Sequence, residues 1–329
     1  MLLYILKRLA YMIPTLFGMS LVSFLIIQLP PGDFLTSLTS AIADSGQSLD
    51  QASIDRLTAL YGLDQPFYVQ YWNWISNIIL RGDFGWSFDW GQPVSRLLWD
   101  RMGVTIFVSA LSLVLIWALA IPIGIYSAVR RYSIGDYVFT FLGFVGLAVP
   151  TFILALGLMY ISFTWFGLNV GGLFSPEYEQ APWSLAKFID LLQHLWIPVV
   201  VIAISSTAAL IRVMRANLSD ELSKPYVVTA RAKGLSEFTL IMRYPVRLAL
   251  NPFVSTIGWV LPSLISGVTI TAIVLNLPMA GPLLLRALVS QDMYLAGAFI
   301  LIMSVLTLVG MLISDILLAV LDPRVRYQQ

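Results

Sequence analysis

The sequence predicts an all-α membrane protein of six transmembrane helices, with a small external segment between the first two. Three observations carry this prediction. Only 11% of the 329 residues are charged while 58% are hydrophobic, and the mean hydropathy is +0.84, a balance typical of membrane chains rather than soluble ones. Windows of about 20 mainly apolar residues, the length that crosses a bilayer, recur at 9–29, 104–128, 138–163, 195–212, 252–275 and 294–320. The basic residues then divide unequally between the two sides that these windows define.

The first window follows Lys7 and Arg8 in "MLLYILKRLAYMIPTLFGMSLVSFLIIQLP". Its apolar stretch, Leu9 to Leu29, exceeds the about 7–15 residues of a signal h-region and ends without a small-x-small site. Residues 1–30 therefore read as a retained N-terminal transmembrane helix. Residues 31–102 are polar, too long for a turn, and form the external segment. Residues 103–329 hold the other five helices, with a long cytoplasmic loop at 213–250.

With the N-terminus inside, the inner side receives Lys7, Arg8, Arg130, Arg131, Arg212, Arg215, Lys224, Arg231, Lys233, Arg243, Arg247, Arg324 and Arg326. The outer side receives Arg56, Arg81, Arg96, Arg101, Lys187 and Arg286. That split of 13 to 6 places both termini in the cytoplasm. Asp33, Asp44, Asp50, Asp55, Asp64, Asp83, Asp89 and Asp100 all fall in the first outer segment.

Most windows contain helix breakers: Pro14, Pro122 with Gly124, Pro150, Pro198, and Gly258 with Pro262. They read either as ordinary kinks whose freed backbone groups neighbouring helices satisfy, or as hinges around a pathway that opens to alternate sides. Gly143, Gly146 and Ala148 permit close helix contacts. Asp315 is the acidic residue inside a span, near its inner end, and a structural pairing with a basic neighbour is favoured there over a proton relay. His194, the single histidine, reads as structural. No metal site is expected, and the lack of cysteine excludes disulfides and thiolate ligands.

The loop at 213–250 contains "YVVTARAKGL" at 226–235. Pro225 suits the first position of a helix, which then runs two turns to Gly234 as its C-terminal cap. Tyr226, Thr229, Ala230 and Lys233 share one face by spacing, and Ser236 serves as N-cap of a second short helix. On physical grounds alone, such a basic element also suits attraction to anionic membrane lipid, at about 1 kcal/mol per base.

"YVVTARAKGLSEFTLIMRYPVRLALNP" closely resembles the cytoplasmic loop of ABC importer permeases, known as the EAA loop, and "TARAKGL" is typical of the oligopeptide/dipeptide/nickel subfamily. "GDFGWSF" at 82–88 resembles that subfamily's "GDLGxS" element, and "LDPRVRY" at 321–327 its C-terminal ending. The resemblance covers essentially the whole chain. Pro225 departs from it, standing where an acidic residue often precedes the tyrosine, as do "LPPGDF" at 29–34 and "VLNLPMAG" at 274–281.

This resemblance implies the type I ABC importer permease fold in a bacterial inner membrane. It implies a second homologous permease, two ABC ATPase subunits that bind ATP and Mg, and an external solute-binding protein. No cofactor is expected in this chain. The short loop helix would sit in a cleft on an ATPase subunit, with Thr229, Ala230, Arg231, Ala232, Lys233, Gly234 and Leu235 forming the contact. An oligopeptide is the first expectation for the cargo and an oligosaccharide the second. No substrate-contact residue is assigned.

No G-x-x-x-x-G-K-[ST], H-E-x-x-H or G-x-S-x-G occurs, so neither a phosphate loop nor a familiar catalytic constellation is present. The chain reads as a translocation subunit rather than an enzyme, and no nucleic-acid partner is expected. An ion-coupled secondary transporter is the rival class. It calls for ionisable residues near mid-membrane, which Asp315 alone supplies poorly. The outer segment carries Trp72, Trp74, Trp86, Trp90 and Trp99, and "FYVQYWNWI" at 67–75 has helical character. Interface anchoring or internal packing is the first reading of these rings. Docking of a binding protein, through Trp86 and Trp90, is the second, and direct solute contact the third.

Overall fold

A chain this poor in polar side chains satisfies its backbone internally, which in lipid means helices or closed barrels. The computed structural model describes residues 2–28, 65–87, 89–256 and 268–321, and helices dominate them. In order these are α1 (Leu2–Gln28), α2 (Phe67–Arg81), α3 (Val94–Val129), α4 (Ile134–Ala148), α5 (Thr151–Phe166), α6 (Leu185–Leu222), α7 (Pro225–Ala232), α8 (Glu237–Arg243), α9 (Pro245–Ala249), α10 (Thr269–Val274), α11 (Ala280–Val289) and α12 (Met293–Leu321). A further helical stretch covers 251–256. Between α2 and α3, β1 (Trp86–Ser87) and β2 (Gln92–Pro93) pair antiparallel, with Trp86 opposite Pro93 and Ser87 opposite Gln92.

Among the described residues, α1, α3, α6 and α12 are each long and apolar enough to cross a bilayer. α4 and α5 pass only as a pair, bent by 102° where they meet. The third expected span, 138–163, is therefore not one straight helix. Pro150 has no amide hydrogen and drives the residue before it from the helical region, and Val149 sits at φ −83°, ψ 122°. Pro14, Pro122 and Pro198, by contrast, lie inside continuous helices. Much of the fifth expected window, including Gly258 and Pro262, lies outside the described residues.

The chain divides into two compact units. The first comprises Met1–Arg8, Val104–Met279 and Thr307–Gln329. Within it α4, α5 and α9 pack on α6, which buries Leu195, Ile197, Val201, Ile202, Leu210, Met214 and Leu218. Glycine permits the closest approaches. A Cβ at Gly146 would lie 2.6 Å from Ile204 Cγ2, and one at Gly124 only 2.5 Å from Met214 Cβ. Arg8 Nε lies 3.1 Å from Asp315 Oδ2, so Asp315 has the basic neighbour expected of it.

α6 starts ten residues before the expected 195, because its polar first turns are satisfied by the preceding loop. Lys187 Nζ donates to the Ala181 carbonyl at 2.7 Å and sits 4.8 Å from the Phe174 ring centroid. Asp190 accepts from the backbone NH and hydroxyl of Ser175 at 2.8 and 2.6 Å. His194 Nδ1 lies 2.8 Å from the Asp190 carbonyl, a structural role as expected. Buried polar groups are tolerated when they are bonded in this way.

The second unit comprises Leu9–Gly103 and Ala280–Leu306. The aromatic run 67–75 does form a helix, α2, and its inner face meets α1. Phe24 lies 5.5 Å from both Tyr71 and Trp74, centroid to centroid, and the Ser20 and Tyr71 hydroxyls share a 2.8 Å hydrogen bond. Trp74 is thus internal packing, whereas Trp72 and Trp99 point outward.

Candidate functional site

The candidate site is the corner formed by α7 and α8. Chain direction changes at Ser223 and Lys224, and Pro225 then opens α7 as its first residue. The entry is held by Glu221 of α6, which accepts from Tyr226 Oη at 2.8 Å and from Lys224 Nζ at 2.5 Å. Burial, reinforced by the Glu221 carboxylate, pushes the Tyr226 hydroxyl well above its ordinary pKa, so it stays a donor. Val227 is fully buried, and Tyr226, Ala230 and Leu235 pack against the same core.

The helix ends at Ala232, with Lys233 as cap and Gly234 beyond it at φ +79°. That left-handed conformation is the one glycine adopts most cheaply at a helix C-terminus. Gly234 NH donates to the Arg231 carbonyl at 3.0 Å. Ser236 then begins α8 as N-cap, its hydroxyl donating to Thr239 Oγ1 at 2.8 Å. The corner is closed by a fork: Arg231 Nε donates to one Glu237 oxygen and Nη2 to the other, the latter at 3.0 Å. The pairing raises the Arg231 pKa and lowers that of Glu237, the hydrogen bond being the main cause of both shifts.

The corner differs from the sequence reading, beginning with the cap of α7, which is Lys233 and not Gly234. The face that meets the core is Tyr226, Val227 and Ala230, while Thr229 and Lys233, expected on the same face as Tyr226 and Ala230, are exposed. Of the seven contact candidates, Thr229, Arg231, Ala232, Lys233 and Gly234 are presented outward, whereas Ala230 and Leu235 hold the corner down. Val228 and Phe238 were missed. Phe238, 76% exposed, is the most exposed aromatic of the corner. The signal was there in part, since Val228 stands three residues before Arg231.

The two tryptophan candidates lie in the second unit. Trp86 on β1 is 42% exposed. Trp90 is covered: the Arg286 guanidinium lies 4.5 Å from its ring centroid and pairs with Asp89 at 2.7 Å. Trp90 also packs against the cluster holding Phe84, Val94 and Leu283. Buried Asp292 pins the hairpin, accepting from Ser87 Oγ at 2.5 Å and from Leu295 NH at 3.3 Å at the start of α12. Its burial pushes the carboxyl pKa up, partly offset by those hydrogen bonds.

Long apolar helices, one of them broken, together with a folded polar corner between two helical segments define a multi-pass helical membrane protein. The chain belongs to the family described as the binding-protein-dependent transport system inner membrane component, whose model matches residues 120–327, while the model of the family's N-terminal part matches 1–109. It is an ABC importer permease of the peptide/nickel type in a bacterial inner membrane, a transport component and not an enzyme. It is 34% identical to the oligopeptide transport system permease protein AppB of Bacillus subtilis, over 98% of this chain and 99% of that protein. It is 33% identical to a putative peptide permease of Brucella suis, over 99% of both chains. It is 32% identical to the glutathione transport system permease protein GsiC of Escherichia coli, over the full length of both.

Proposed function

We propose that the chain forms, with a second homologous permease, the pathway through which an ATP-driven importer moves a short oligopeptide delivered by an external binding protein. In this reading six helices cross the membrane, one within 1–30 and five within 103–329. Both termini and the 213–250 loop face the cytoplasm, and 31–102 lies outside. Two ATPase subunits bind ATP and Mg, and one of them receives the α7–α8 corner of this chain, through Thr229, Arg231, Ala232, Lys233 and Gly234. The observation that supports this best is the corner itself: an outward, well-braced surface next to the end of a long apolar helix. A lipid anchor would require basic side chains but no glycine turned to φ +79°. Peptide cargo is supported by the relatives, two named for peptides and one for glutathione, itself a tripeptide.

The test is uptake into vesicles carrying this chain with its partner permease, ATPases and binding protein. ATP-dependent accumulation of labelled oligopeptide that survives collapse of ion gradients is expected. Accumulation of oligosaccharide instead would replace the cargo. Uptake driven by an ion gradient without ATP would overturn the importer mechanism in favour of a secondary carrier.

A further inference from the structure

α7 is gripped at each end by a carboxylate that belongs to a neighbouring helix. At its entry Glu221, from the last turn of α6, takes the Tyr226 hydroxyl at 2.8 Å and the Lys224 ammonium at 2.5 Å. At its exit Glu237, from the first turn of α8, takes Arg231 through two hydrogen bonds. Between these grips Val227 is fully buried. The backbone on either side is where such a short helix would otherwise flex: Ser223 and Lys224 lie outside helical segments, and Gly234 is in the left-handed region.

We propose that Glu221 and Glu237 are positioning residues that fix α7 as a lever on α6, so that a push on α7 moves α6 instead of bending the joints at 223–224 and 233–234. This rests on the reading of α7 as the helix that meets the ATPase. An exposed charge pair adds little to stability, but stability is not what a lever needs. A planar guanidinium held by both carboxylate oxygens fixes orientation as well as distance, and the Tyr226–Glu221 bond does the same for the opposite end. Arg231 thereby holds the shape of the corner in addition to being presented to the partner.

The test uses the full reconstituted importer and two readouts: ATPase subunits retained per complex, and solute imported per ATP hydrolysed. Glu237→Arg is expected to retain the ATPase while lowering import per ATP by about three-fold, the scale of a well-formed exposed pair. The exchange Arg231→Glu with Glu237→Arg restores the fork in reverse and is expected to recover most of the lost ratio. Tyr226→Phe, which removes only the gripped hydroxyl and keeps the ring, tests the entry side with the same expected direction. Wild-type import per ATP in Glu237→Arg and Tyr226→Phe would overturn the lever. So would a double exchange whose import per ATP is no better than that of its single variants, because the pairing would then not be what the ratio depends on. A separate variant checks the underlying reading: Ala232→Trp adds bulk at the outward tip. If it leaves ATPase retention intact, α7 does not meet the ATPase and the proposal falls with that assignment.

Discussion

Substituting Gly234 separates backbone strain from partner contact. The residue sits at φ +79°, and a Cβ added there would find nothing within 4 Å in this chain. The internal cost of a side chain is therefore conformational alone, about 1–2 kcal/mol for a residue with a Cβ forced into the left-handed region. Asn tolerates that region better than Ala, and β-branched Val worst. At 1.4 kcal/mol per factor of ten, Gly234→Val should lower the ratio of turned to unturned corners roughly 5–30-fold, Gly234→Ala somewhat less and Gly234→Asn little. A partner that binds only the turned form loses apparent affinity by up to the same factor. Binding of the purified ATPase to the permease pair in nanodiscs measures it, with a thermal melt confirming that the membrane helices remain folded. The order Gly, Asn, Ala, Val is expected. Equal affinity for glycine and Val would refute the reasoning, because the corner would then be irrelevant to recruitment. A loss in Ala well beyond ten-fold would show that the partner's surface occupies the space the Cβ enters.

Trp90→Ala should destabilise the second unit by roughly 2 kcal/mol, since the ring is half-buried under Arg286. Trp86→Ala should leave the melt unchanged and lower binding-protein-stimulated ATPase activity, and the reverse pattern would exclude docking at Trp86. Asp315→Asn, which breaks the pair with Arg8, should cost about 1 kcal/mol and leave import independent of a proton gradient; a lost or newly gradient-dependent import would reinstate the proton relay. Because burial raises the folded pKa of Asp292, its contribution to stability is full below the ordinary carboxylate pKa and is lost as pH rises through the folded value. Asp292→Asn should therefore flatten the fall in melting temperature between acid and neutral pH, and an unchanged slope would assign that fall elsewhere. In the naturally cysteine-free chain, Glu177→Cys should react with an impermeant thiol reagent from outside and Ser236→Cys should not, as a labelling experiment on intact cells can show.

Hydropathy located α1, α3, α6 and α12, because each is a long apolar run with charges at or near its ends. It could not see the bend between α4 and α5, since 138–163 is equally apolar on both sides of Pro150 and a window average ignores direction. Pro198 and Pro150 look alike in sequence. The first stands within a helix packed along most of its length, and the second between two helices whose surfaces are largely open within this chain. The early start of α6 was hidden for the opposite reason: Lys187, Asp190 and His194 look like a loop until Phe174, Ser175 and Ala181 are brought to them. In the corner, Pro225, Gly234 and Ser236 announced both helices and the turn, because those signals are local. Which side of α7 faces inward was not legible, since Thr229, Ala230 and Lys233 fit either side until Val227 is seen to be buried. The Arg286–Asp89 and Asp292–Ser87 contacts join residues about two hundred positions apart, and no spacing rule reaches that far.

The length of α6 has a consequence for how this chain tolerates change. Its 38 residues make a rod of about 57 Å at 1.5 Å per residue, well beyond the roughly 30 Å hydrocarbon core of a bilayer. Both ends are anchored, one by Asp190 and Lys187 and the other by Glu221. Inserting one residue in its middle would turn everything beyond by about 100° and advance it by about 1.5 Å, so Glu221 and the corner it holds would lose register with the core that buries Val227. Insertions and deletions should thus be excluded from 185–222. The rod keeps the phase of the corner, and its residue count is as much a part of the site as the side chains at its tip.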